Sequence, residues 1–80
     1  MAKKASKRSI DEFVIDRVKE MRSKAGFSQE DIAVWLDVSS GFIGQIESRN
    51  FRAKYNLHHL NELAKKFKCS PQDFLPEKPL

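Results

Sequence analysis

The sequence is sparing with the residues that staple, anchor or catalyse. One cysteine, Cys69, among 80 residues excludes an intramolecular disulfide and leaves a thiolate zinc site short of ligands. It follows the apolar residues of a helical stretch and is expected to act as a small buried hydrophobe. No apolar run approaches the ~20 residues that cross a bilayer, and the basic N-terminus carries no apolar segment of the signal-peptide kind. No membrane partner is expected, and the expected location is the cytoplasm. Strand-like alternation, internal repeats and low-complexity segments are missing. So are a nucleophile, base and orienter recurring together and a phosphate-cradling glycine loop, so no enzyme chemistry is expected. His58 and His59 are adjacent and diverge by about 100° on a helix, while Glu62 four residues after His58 offers only a two-ligand pair. Neither a metal nor another cofactor is expected, and no small-molecule site is evident.

A chain of 80 residues makes one domain, and at this size only about 60% of the unfolded surface is buried. A compact helical bundle suits so economical a core. Charged residues make up 32% and apolar residues 40%, an ordinary balance for a soluble globular domain. The net charge of +4 is unevenly placed: Lys3, Lys4, Lys7 and Arg8 stand in residues 1–8 with no acid, and the rest of the chain is formally neutral. Residues 1–8 therefore read as a basic, disordered arm, residues 9–75 as the folded domain, and 76–80 as a short tail.

Helical signals follow in series. Ser9-Ile10-Asp11-Glu12 has the pattern of a capping box, and Val14, Val18 and Met21, flanked by Ile10 and Phe13, mark the apolar stripe of a helix ending near Ala25. Gly26 closes it, and Phe27 is expected to re-enter the core. Ser28, with Glu30 and Asp31 in the first turn, caps a second helix that buries Ile32, Ala33 and Leu36. Asp37 ends it in the left-handed conformation that glycine usually fills. Ser39 or Ser40 caps a third helix, which buries Ile43 and Ile46 and lasts to about Ser48. Residues 49–55 form a loop that Phe51 and Tyr55 are expected to pin to the core. Asn56 caps a fourth helix with the stripe Leu57, Leu60, Leu63, Ala64 and Phe67, and its C-terminal lysines, Lys65, Lys66 and Lys68, suit the dipole. Ser70-Pro71 starts a short fifth helix, after which Phe74 and Leu75 are expected to close the core.

The outer face of the third helix carries Ser40, Gly41, Gly44, Gln45 and Ser48, small or amide side chains with no acid. That face is too polar for a core and smooth enough for a groove. Gln29 stands at the start of the second helix, where free amides bind phosphate. Arg49, Arg52 and Lys54 follow the third helix, in positions suited to a phosphate backbone. Trp35 points away from its helix's apolar residues, as a half-buried surface residue or a protein contact. Phe42 is expected to pack on the turn or on Ile46.

The spacing R22-x-x-x-G26-x-S28-Q29, I32-A33-x-x-L36-x-V38-S39 and I43-x-x-I46-E47 resembles that of the Cro/phage-repressor-like helix-turn-helix family, also called the xenobiotic-response-element family. The likeness runs from about Val14 to Leu75, because L60-x-x-L63-A64-x-x-F67-x-C69-S70-P71-x-x-F74-L75 is similar to the family's closing segment. The resemblance implies an all-α, compact, five-helix lambda-repressor-like domain that binds double-stranded DNA as a transcriptional regulator of the repressor kind. It implies that the third helix enters the major groove, with Ser40, Gly41 and Gln45 facing base edges and Gln29 and Ser39 at the backbone with Arg49, Arg52 and Lys54. It implies, too, an internal ion pair between Arg22 and Glu47, which makes that acid structural. The sequence departs from the family pattern at Asp37 and Arg49, where glycine is common. Gly41 and Gly44 thin the reading face, so specificity is expected to lean on DNA shape or on the arm.

Such regulators usually act as homodimers, at least on DNA. The alternative from another class is a protein-interaction module, such as an antitoxin that caps a toxin, or an adaptor using Trp35 and the C-terminal tail. If the arm of Lys3, Lys4, Lys7 and Arg8 wraps a duplex, deleting residues 2–8 will weaken DNA binding and flatten its salt dependence, because fewer counterions are released. An unchanged slope in a salt titration would remove the arm from the interface.

Overall fold

Four helices and a single 3-10 turn, with no strand, make up residues 8–80, the span that the computed structural model describes. Of the basic arm only Arg8 belongs to it, and Lys3, Lys4 and Lys7 lie outside the described residues. The first helix, α1 (Ser9–Ala25), is capped by Arg8 and not by Ser9: the Asp11 carboxylate accepts the Arg8 N–H at 3.3 Å. Asp11 thus takes the place that the capping-box pattern gave to Glu12, and Ser9 becomes the first helical residue.

The buried face of α1 is Val14, Ile15 and Val18, while Met21 is only partly buried. Ile10 and Phe13 stay 44% and 37% exposed. Periodicity identifies a stripe but not its rotation. The rotation is set by what α1 packs against, here the third helix and the 3-10 turn, and it turns Val14, Ile15 and Val18 into the shared core.

The second helix, α2 (Gln29–Leu36), begins with a full capping box: Ser28 Oγ accepts from the Asp31 N–H at 3.1 Å and the Asp31 carboxylate accepts from the Ser28 N–H at 2.8 Å. Asp31 is thereby folded back onto the cap. The third, α3 (Ser40–Glu47), is capped by Ser39, whose Oγ accepts from the Phe42 N–H at 3.1 Å. Ile43 and Ile46 are fully buried under it. The fourth, α4, spans Leu57–Phe67. α2 packs on α3 and on α4, so it lies at the centre of the arrangement.

Three helices end alike. Gly26 (φ 80°), Asp37 (φ 59°) and Lys68 (φ 58°) are left-handed, and the next residue's N–H reaches back to the carbonyl of Arg22, Ala33 or Ala64, respectively. This closure satisfies the last carbonyls of each helix. Only Gly26 adopts it without a Cβ penalty.

The segment expected as a fifth helix is one turn of 3-10 helix, Pro71–Phe74, capped by Ser70. It places Phe74 at the bottom of the core with no exposure, but Leu75 remains 42% exposed. Leu57 projects into solvent at 80% exposure because, as the first residue of α4, it has no turn before it to lie against. Phe51 is likewise exposed, so Tyr55 alone of the two loop aromatics is in the core. Cys69 is partly buried against the core.

A chain of edge-to-face rings closes the far side. Phe27 meets Trp35 at 4.7 Å between centroids, Trp35 meets Phe67 at 5.5 Å, and Phe67 meets Phe74 at 6.4 Å. Trp35 is therefore a partly buried packing residue linking α2 to α4, and Phe27 covers it from outside. Phe42, expected on the turn or Ile46, lies edge-on to His59 of α4 at 6.2 Å.

His59 also completes the cap of α4. Asn56 Oδ1 accepts from the His59 N–H at 2.8 Å, and the Asn56 N–H donates to His59 Nδ1 at 3.0 Å. The second bond needs an unprotonated Nδ1, and imidazolium at a helix N-terminus opposes the dipole. Burial, with the like charge of His58, lowers the His59 pKa below its ordinary value of 6.5. The unfolded chain therefore takes up the proton first, so His59's contribution is complete above about pH 6.5 and declines as pH falls toward the folded-state value. Urea unfolding between pH 7.5 and 5 will show falling stability. His59→Gln, which keeps an acceptor at the capping position, will flatten that decline, whereas an equal decline in the variant would clear His59 of any part in it.

Candidate nucleic-acid interface

The face built by α2 and α3 is organised from beneath by a charged pair. Arg22, in the last turn of α1, holds Glu47 of α3 through two bonds, Nε to Oε2 at 3.1 Å and Nη2 to Oε1 at 2.9 Å. Its remaining Nη1 donates to the Phe27 carbonyl at 3.0 Å. The Arg22 and Glu47 side chains retain only 13% and 4% exposure. Gln29, the first residue of α2, adds a third donor to the same carboxylate, Nε2 to Glu47 Oε1 at 2.9 Å. Glu47 thus accepts three hydrogen bonds and is withdrawn from the outer surface of its helix.

What remains on that surface is neutral. Ser40, Gly41 and Gln45 are exposed, and Gly44 is partly covered. A Cβ on Gly41 would have nothing nearer than Ser39 Oγ at 3.9 Å, whereas one on Gly44 would meet Gln29 Oε1 at 3.5 Å. Gln29 therefore leans across from α2 onto α3. At the start of α2 the N–H groups of Gln29 and Glu30 precede the first intrahelical bond, which runs from Ile32 to Ser28 at 3.3 Å. Ser39 is exposed, with its hydroxyl engaged in capping.

The three loop cations are not equivalent. Arg49, expected at a phosphate, bonds Glu12 at 2.9 Å and Asp16 at 3.3 Å, two acids one turn apart on α1. Glu12's hydrogen bond and charge, with Asp16 behind it, raise the Arg49 pKa above its ordinary value. Lys54 lies 3.5 Å from Asp11. Arg52, between them in sequence, is exposed and makes no ion pair among the described residues. The sequence marks Asp11 and Glu12 only as part of a helix cap and gives Asp16 no role, although Glu12 and Asp16 share the i, i+4 spacing of one helix face and together hold Arg49.

Tyr55 lies beneath this loop. Burial, then the charge of Glu47, raises its pKa, and Arg22 opposes the shift. Its buried hydroxyl has no hydrogen-bond partner among the described residues. Elsewhere, an open groove of about 330 Å³ runs between α1 and the start of α4, with Ile10, Val14, Leu57, Leu60 and Leu75 as its apolar wall and Lys54 with Asp11 as its polar part. Sequence spacing could not reveal it, because its walls come from three separated segments. No group of three His, Cys, Asp or Glu residues placed to hold a metal occurs among the described residues, and none of their helices is long and apolar enough to cross a membrane.

Removing one member of a buried, hydrogen-bonded ion pair leaves the other unpaired, at a typical cost of about 3–5 kcal/mol. Arg22→Ala will therefore lower the unfolding free energy in urea by about 3 kcal/mol or more. Tyr55→Phe, which deletes an unpartnered hydroxyl, will cost little or nothing. Equal losses in the two variants would contradict this ranking. No protein-family model matches the chain and no curated protein matches it.

Proposed function

We propose that this chain is a helix-turn-helix DNA-binding domain of the Cro/phage-repressor kind, a small transcriptional regulator that represses by laying α3 in the major groove of double-stranded DNA. The observation that carries this reading is the withdrawal of Glu47. With its carboxylate taken up by Arg22 and Gln29, the outer side of an eight-residue helix is free of acid and lined by small and amide groups. Phosphate oxygens on either side of a major groove would repel any carboxylate left there. Gln45 supplies paired acceptor and donor groups for an adenine edge, Ser40 a less selective hydroxyl, and Gly41 close approach of the helix backbone. The free amides at the start of α2, the Ser39 turn and Arg52 meet phosphates, while Arg49 and Lys54 hold the loop in place. Two copies on one duplex would sit about 34 Å apart.

The apolar groove beside Leu57 favours a second reading, a protein-interaction module such as an antitoxin or an adaptor. The two readings separate in one assay, a mobility shift on random-sequence duplex followed by selection of the bound sequences. The DNA reading expects a selected motif. It also expects Gln45→Ala to cost about 1–3 kcal/mol at one base position, and Arg52→Ala to weaken all sequences alike with a salt slope shallower by about one. A motif unchanged by Gln45→Ala would contradict the assignment of the face. Absence of any shift would favour the interaction module.

A further inference from the structure

We infer that Gln29 reads a base pair, its carboxamide lying against Gly44 on α3 and adding a second amide to the helix face that carries Gln45. The inference rests on the DNA reading and gives Gln29 a role different from phosphate contact. An ideal Cβ on Gly44 would lie 3.5 Å from Gln29 Oε1, an ordinary contact distance, so the Gln29 oxygen packs against α3 beside residue 44. Residue 44 shares the outer face with Gly41 and Gln45, three residues after the one and directly before the other. The face that looks depleted by two glycines therefore regains a polar group at one of them, supplied by the neighbouring helix.

The orientation of that amide is set by its partner. Glu47 offers only acceptors, so the amide must turn Nε2 toward it, as the 2.9 Å bond shows. The flipped amide would put oxygen against carboxylate. Glu47 itself cannot rotate to follow, because Arg22 holds both of its oxygens. Arg22 and Glu47 thus act as positioning residues for Gln29, which enters a complex with its rotamer already fixed.

Chemistry then chooses between the backbone and the bases. A carbonyl oxygen over the outer face of α3 repels phosphate oxygens but accepts from an exocyclic amine. Glu47 uses one of the two Nε2 hydrogens, and the other remains a donor beside Oε1. An acceptor and a donor side by side match the N6 amine and N7 of adenine, and no other base offers both in the major groove.

The test is selection from random duplex by the full chain and by Gln29→Ala and Gln29→Met, both of which leave Glu47 its two Arg22 bonds, with a thermal melt confirming that each variant is folded. The wild-type motif is expected to prefer an A·T pair at a position distinct from the one that Gln45→Ala relaxes. In both Gln29 variants that preference, of about 5- to 150-fold for a good bidentate contact, should disappear while the salt slope stays unchanged. A motif retained in either folded variant would overturn the inference, as would a weakening that is uniform across all sequences, the mark of a backbone contact. Failure of the wild-type chain to bind any duplex would instead remove the DNA reading, and the inference with it.

Discussion

The arrangement depends on one guanidinium held between a carboxylate and a carbonyl. Arg22 lies in the last turn of α1, its partner Glu47 ends α3, and the Phe27 carbonyl belongs to the connection that leads into α2. Burying two charges is expensive, and the attraction between them does little more than offset their desolvation. The pair's value lies in specificity of geometry: a bidentate fork accepts one relative placement of the two helix ends. The same carboxylate then orients Gln29. An acid that would repel phosphate under the proposed function has become the post against which a neutral side chain of α2 is fixed.

Electrostatics at the loop follow similar logic with a different outcome. Asp11, Glu12 and Asp16 line α1 and engage Arg49 and Lys54. These contacts lie at or near the surface, where single ion pairs add little stability. Together they secure the segment after α3 at both ends, with Arg52 between. Cations that composition alone would count toward DNA are thus partly neutralised inside the domain. The charge available to a polyanion is set by pairing geometry and not by the number of basic residues.

What could be read from the sequence was what short-range physics decides. Ser28, Asn56 and Ser70 cap as expected because capping is settled within three residues, and of Ser39 and Ser40, both open in the sequence, Ser39 caps α3. Asp37 takes the left-handed position because the helix before it has to end before Ser39 can start the next. The inward residues of α2 and α3 followed from their spacing. The rotation of α1 did not, since Ile15 is buried and Phe13 exposed only by virtue of where α3 and the 3-10 turn lie. Leu57, Leu75 and Phe51 are apolar and outside for similar reasons. At the candidate face, the residue types of Ser40, Gly41 and Gln45 were legible. The bond from Gln29 to Glu47 was not, because it joins side chains 18 positions apart.

The central claim, that the junction of α2 and α3 is the surface that meets DNA, is tested most directly by nuclear magnetic resonance of the uniformly labelled chain titrated with duplex. Backbone amide shifts should concentrate in residues 28–29 and 39–48 and extend to Arg52, leaving Ile10, Leu57 and Leu75 unmoved. Perturbation centred on those three groove residues, with α3 silent, would contradict the account.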